Sequence, residues 1–232
     1  MKKLTIFLLA LSIISCNNES AHDLTVKGQI KDLKKGTVYL QKITDSVLVN
    51  LDSLKVSGNG SFKLHTNLNE PEVLFLTLDK NAAEDNTIAF FADKGTTQIN
   101  TTLKNFNFDA KIEGSKQQKD LDEYILMMSK FNDKNLDLIK ESFEARLKND
   151  SSKVDYETEY NKLLKRKYLY TINFAINKRD SEVAPYLALT EIPNTSISYL
   201  EKIYDTLTDN IKQSKYGKEL QTLIATRKQE EN

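Results

Sequence analysis

At 232 residues the chain is long enough for one large domain or two small ones, and its 33 lysines and arginines balance 33 aspartates and glutamates. Such neutrality supplies no long-range pull on phosphates or anionic lipid, so no nucleic-acid partner is expected. One cysteine and two histidines rule out disulfides, Cys-x-x-Cys redox chemistry and thiolate zinc sites by count.

Residues 1–15 have the layout of a secretory signal peptide. Lys2 and Lys3 precede an uncharged, mostly apolar run over 4–15 that ends on the small residue Ser15. The run is too short to span a bilayer, which takes about 20 apolar residues. Ile13-Ile14-Ser15-Cys16 resembles the bacterial lipobox, in which a small residue precedes an obligatory cysteine. The resemblance implies cleavage between Ser15 and Cys16, a diacylglycerol on the Cys16 sulfur and acylation of the new amino group. Each buried CH₂ adds roughly 0.8 kcal/mol, so several acyl chains on one residue hold a protein where one does not. Asn17 stands where an aspartate would signal inner-membrane retention, which favours the outer membrane. The tether 17–23 that follows is seven residues long and reaches at most roughly 23 Å.

From residue 24 the periodicity is two. Leu24, Val26, Gly28 and Ile30 alternate with Thr25, Lys27 and Gln29, as in a half-buried strand. Lys34-Lys35-Gly36 turns the chain into a second strand over 37–43, and further strand-like runs fall at 47–56, 61–66, 73–78, 87–91, 96–103 and 106–112. Ser57-Gly58-Asn59-Gly60, Glu70-Pro71, residues 79–86 and Asp93-Lys94-Gly95 separate them as turns. About eight short strands at this spacing predict an antiparallel β-sandwich or open barrel over 24–114.

Six of the seven glycines lie between Gly28 and Gly114, and beyond that point the period becomes helical. Leu121, Tyr124, Ile125, Met128 and Phe131 share one face of a helix starting near Ser115. Leu136, Ile139, Phe143 and Leu147 mark a second helix, stopped by Asn149-Asp150-Ser151-Ser152. A third runs from about Tyr156 through Ile172 to Asn177. A fourth, capped by Asp180 or Ser181, tolerates Pro185 in its first turn and ends at Pro193. Runs at 196–207 and 214–228 complete a predicted helical bundle of about six helices over 115–232. The fold class expected is α+β.

Residues that tempt a chemical reading have simpler structural ones. Asp52-Ser53 and Asp93-Lys94-Gly95 suit strand ends and hairpin loops, and Gly58-Asn59-Gly60 suits a hairpin better than a phosphate cradle. Glu84-Asp85 sits in a polar loop without the spacing of a calcium site. His22 and His65 lie 43 positions apart and read as surface histidines. Tyr156, Tyr160, Tyr168, Tyr170, Tyr186, Tyr199, Tyr204 and Tyr216 have helical spacing and are expected to edge the core rather than to form a sugar platform. No catalytic residue, cofactor or metal ligand is expected.

Val26-Lys27-Gly28-Gln29-Ile30, Val38-Tyr39-Leu40, Asp52-Ser53 with Gly60-Ser61-Phe62, and Phe90-Phe91-Ala92-Asp93-Lys94-Gly95 resemble the N-terminal domain of unknown function that precedes many thioredoxin-like thiol:disulfide reductases of Bacteroidetes-type bacteria. Ser181-Glu182-Val183-Ala184-Pro185-Tyr186 and Ser214-Lys215-Tyr216-Gly217-Lys218 resemble the helical spacer of those proteins. The thioredoxin module and its cysteine pair have no counterpart in these 232 residues. The expectation is a lipid-anchored, non-enzymatic envelope lipoprotein, held to a membrane through Cys16 and binding an envelope protein or small ligand. The alternatives are an accessory partner of a separate thioredoxin-like reductase and a component of surface nutrient capture.

Overall fold

The computed structural model describes residues 22–79, 86–147 and 155–231. Among them, eight strands in two sheets precede six helices, an α+β fold with an N-terminal β-sandwich and a C-terminal helical region. The strands are β1 (Leu24–Lys31), β2 (Lys35–Thr44), β3 (Val47–Ser57), β4 (Ser61–Thr66), β5 (Glu72–Asp79), β6 (Thr87–Ala92), β7 (Gly95–Thr102) and β8 (Lys111–Glu113). One sheet has the order β4-β1-β7-β8 and the other β3-β2-β5-β6.

Alternation sets the core. Leu74, Leu76 and Leu78 of β5 and Leu24, Val26 and Ile30 of β1 are buried in one cluster between the sheets. Gly28 occupies an inward position of β1 where a Cβ would lie 1.7 Å from the Ile99 carbonyl oxygen, so no side chain fits there. Asp45 and Ser46 both adopt positive φ (48° and 64°) at the tip of the long β2–β3 hairpin, the geometry a two-residue turn demands.

Two expectations about the strands need correction. The pairing is not antiparallel throughout, because β1 and β7 run parallel from Leu24↔Gly95 to Lys31↔Thr102. The short β6–β7 connection delivers β7 at the end of the sandwich where β1 begins, and the Gly95 amide donates to the Asp23 carbonyl. The eighth strand, predicted over 106–112, spans only Lys111–Glu113. The preceding residues form turns, held by a 2.6 Å hydrogen bond from the Thr101 hydroxyl to the Phe106 carbonyl that buries the Phe106 ring.

The helices are α1 (Lys116–Leu147), α2 (Tyr156–Asn177), α3 (Val183–Thr190), α4 (Ile197–Thr206), α5 (Asp209–Gln213) and α6 (Lys215–Glu230). The two helices expected between 115 and 147 are one 32-residue helix. No glycine or proline separates them, so the backbone continues; what changes at Phe131 is the direction of the apolar face. At about 100° per residue, Leu136, Ile139, Phe143 and Leu147 centre about 70° round the helix from Leu121, Tyr124, Ile125, Met128 and Phe131, so the apolar face shifts along one continuous helix. The short α5 was not anticipated; Ser214 closes it and caps α6, accepting from the Gly217 amide.

The helices have their own core around Ala175, Ala188, Leu200, Ile203 and Leu220. A third cluster joins the two regions: Phe91 from β6 packs with Tyr124, Phe174, Val183, Leu187 and Tyr216.

Candidate functional site at the seam between sandwich and helices

The ends of strands and the start of helices converge at one end of the sandwich. β1 and β7 begin there, β4 and β6 end there, and the β2–β3 hairpin projects from it. Phe91 alternates out of the sandwich core on β6, so it needs another cover. Its amide donates to Gln118 Oε1 at 2.6 Å and its carbonyl accepts from the Ser115 hydroxyl at 2.8 Å, which docks the first turn of α1 onto this strand. Its ring meets Tyr186 and Tyr216 edge-on, with centroids 5.5 and 5.8 Å away. The Tyr216 hydroxyl accepts from the Val73 amide at 2.9 Å, tying α6 to β5, and burial raises its pKa above the ordinary tyrosine value.

Beneath these rings lies a buried polar network. Gln117 Oε1 accepts from the Ser181 hydroxyl (2.5 Å) and from the Glu182 amide (3.0 Å), linking α1 to the start of α3. Glu182 is 5% exposed, and its Oε2 lies 2.6 Å from the Ser214 hydroxyl. Desolvation, opposed by the Ser214 hydrogen bond and aided by the charges of Glu70 and Asp93, pushes the Glu182 carboxyl up to about 7. The geometry points the same way. Ser214 Oγ is also 2.7 Å from the Ile211 carbonyl, so two acceptors contest one hydroxyl proton while the carboxylate is ionised. A neutral Glu182 can donate to Ser214 Oγ and leave that proton for Ile211.

Between the β2–β3 hairpin and the start of α6 opens a cleft of about 540 Å³. Ile43, Val73 and Phe75 supply apolar wall; Lys42, Glu70, Glu72, Lys215 and Glu219 supply charge. Glu72 bridges the two cations, 2.8 Å from Lys215 Nζ and 3.8 Å from Lys42 Nζ. Glu70 Oε2 accepts from the Lys215 amide at 2.6 Å. The Glu219 pKa is raised, mainly by burial, with Lys215 opposing and Glu70 and Glu72 adding to the rise. The cleft can offer hydrogen bonds of both signs beside an apolar surface, which suits a polypeptide segment or a small polar ligand.

Residues singled out in the sequence take up varied places. Ser15 and Cys16, with the rest of the signal and most of the tether, lie outside the described residues, as do Glu84 and Asp85. Asp52 pins the open edge between the sheets: its Oδ2 accepts from the His65 amide at 2.8 Å. Asp93 Oδ1 accepts from the Lys94 amide at 2.7 Å, closing the β6–β7 turn. The histidines, distant in sequence, stack with ring centroids 5.5 Å apart, and His65 Nδ1 lies 3.1 Å from the Thr25 hydroxyl. Tyr186 and Tyr216 line the seam, whereas Tyr156 and Tyr160 stack on each other at 5.7 Å on α2. Among the described residues, no three histidine, cysteine, aspartate or glutamate side chains are placed to hold a metal ion, and no helix is long and apolar enough to cross a membrane.

Nothing in the local sequence singles out Glu182, Ser214, Gln117 or Gln118. A signal existed: the strings over 90–95, 181–186 and 214–218 that carried the family resemblance meet here, through the Phe91–Tyr186–Tyr216 rings and the Glu182–Ser214 bond.

The fold and seam define a two-part α+β protein in which a β-sandwich is docked onto helices through β5 and β6. Residues 24–121 match the family model described as Domain of unknown function (DUF4369). The match covers the sandwich and continues into α1 through Ser115, Gln117 and Gln118, the residues that dock it on β6 and α3. A comparison with curated proteins gave no match.

Proposed function

We propose that this chain is a lipid-anchored lipoprotein of the cell envelope that works as a binding module rather than an enzyme, taking its partner in the cleft between the β2–β3 hairpin and α6. The observation that carries the reading is the position of the cleft. It opens at the end of the sandwich where β1 begins, the end at which the chain enters from the tether. A seven-residue tether of at most roughly 23 Å would hold that end near the bilayer.

The mixed lining supports a protein segment as the occupant, since apolar wall and paired charges together give both area and orientation. The likeness of the two halves to the domain and spacer of thioredoxin-like reductases makes a separate reductase of that kind the first partner to test. Cys16→Ala is expected to abolish acyl labelling and membrane retention. A variant that is still processed and still sediments with membranes contradicts the anchor. Co-purification in a mild detergent tests the binding role: a partner retained by the parent chain should be lost on Lys215→Glu, which sets a third acid against Glu70 and Glu72.

A further inference from the structure

The apolar face of α1 turns away from the protein halfway along its length. In the first turns Leu121, Tyr124 and Met128 pack into the seam cluster. After the five-residue step at Phe131, Leu136, Ile139, Phe143 and Leu147 stand 63%, 45%, 62% and 69% exposed. At 100° per residue these four fall within about 80° of arc and continue the line of Ile125, with only the uncharged Ser129 and Asn132 between. α2 reaches them only through Tyr156 beside Ile139 and Phe143; the half-buried residues from 136 to 147 are Leu138, Ser142 and Ala145, on the side of α1 next to α2. A largely apolar groove of about 270 Å³ beside Ile139 and Phe143 extends this surface to Tyr156.

We infer that this strip is an interface between two copies of the chain, α1 packing antiparallel on α1 about a two-fold axis near residues 141 and 142. The strip answers its own requirements. Lys140 and Glu144 lie one turn apart on the same flank, and neither is ion-paired among the described residues. A two-fold axis between them sets Lys140 of each copy against Glu144 of the other, two ion pairs from one operation. The same axis, within one residue of register, sets Leu136 against Leu147 and Ile139 against Phe143 of the second copy, so all four exposed apolar side chains are covered. Over 130–147 as a whole, four cations (Lys130, Lys134, Lys140, Arg146) balance four anions (Asp133, Asp137, Glu141, Glu144), so two copies do not repel. An unrelated partner would need a matching pattern of its own; a second copy already has it.

Engineered cysteines in the full chain expressed in cells test the arrangement, with the parent chain and its own Cys16 as the background. The pair Leu136→Cys with Leu147→Cys should form disulfide-linked dimers under mild oxidant, because the axis brings these positions together. Leu136→Cys alone should not rise above background, because antiparallel packing separates that position from its copy by about 16 Å of helix. Lys140→Glu in the paired-cysteine chain should lower the dimer yield about tenfold, and adding Glu144→Lys should restore it. Efficient linkage through Leu136→Cys alone, no dimer from the pair, or no recovery on charge exchange would each overturn the interface. All the substituted side chains are exposed, so loss of fold does not mimic these results.

Discussion

The seam and the far part of α1 are built from similar residues and treated in opposite ways. At the seam, Phe91 and Tyr216 are enclosed with Tyr186 half-buried beside them, and Gln117, Gln118, Ser115 and Ser214 have hydrogen-bond partners. On α1 beyond Phe131, side chains of equal size and apolarity remain open to solvent. Apolar periodicity therefore says that a helix has a face to bury. It does not say that the same chain buries it.

The contrast can be broken by substitution, beginning with the largest effect. Phe91→Ala removes a fully buried ring at the junction and should cost about 3–5 kcal/mol in denaturant unfolding. If it costs no more than an exposed substitution, the seam does not bind the halves as described.

Glu182→Gln sharpens the comparison through pH. The carboxyl rises from an ordinary 4.5 to about 7 in the folded protein. Below pH 4.5 it is protonated in both states. Between there and about 7 the native state keeps a proton that the unfolded chain has released, so stability falls as pH rises and levels off above 7. Glutamine mimics the neutral acid. Its variant should match the parent in acid, lose this slope, and be more stable above pH 7 by up to about 3 kcal/mol. A parent and variant with parallel pH profiles would show that Glu182 is solvated and ionised normally.

Gln117→Ala should cost about 1–3 kcal/mol by thermal unfolding, because it strands the Ser181 hydroxyl and the Glu182 amide in a buried place. Phe143→Ala should change the stability of the monomer by less than about 0.5 kcal/mol. A large loss there would mean that the strip is packed within the monomer.

Where one face of a strand is buried, its alternation was readable from the residues, which is why β1, β4 and β5 fall close to their expected limits. The sequence overextends the eighth strand because Phe106 and Phe108 look like strand residues. In the fold one is buried by a turn and the other is 78% exposed. Likewise the periodicity of α1 suggests two helices, since a change of face looks like a break. The seam was legible only as strings of resemblance. A buried glutamate or glutamine gives no local pattern: its burial depends on Ser214 and Ser181, which come from other turns of the chain. The cleft was less legible still, because it forms from residues 42–46, 69–75 and 215–219 that only the fold brings together.

The proposed binding role is tested most directly by placing a photo-reactive amino acid at Ile43 on the cleft and, separately, at Phe108 at the opposite end of the sandwich, in living cells. Ile43 should capture a discrete envelope component that Phe108 does not, and Lys215→Glu should reduce the capture. Equal capture from both positions, or none from Ile43, would contradict the binding role.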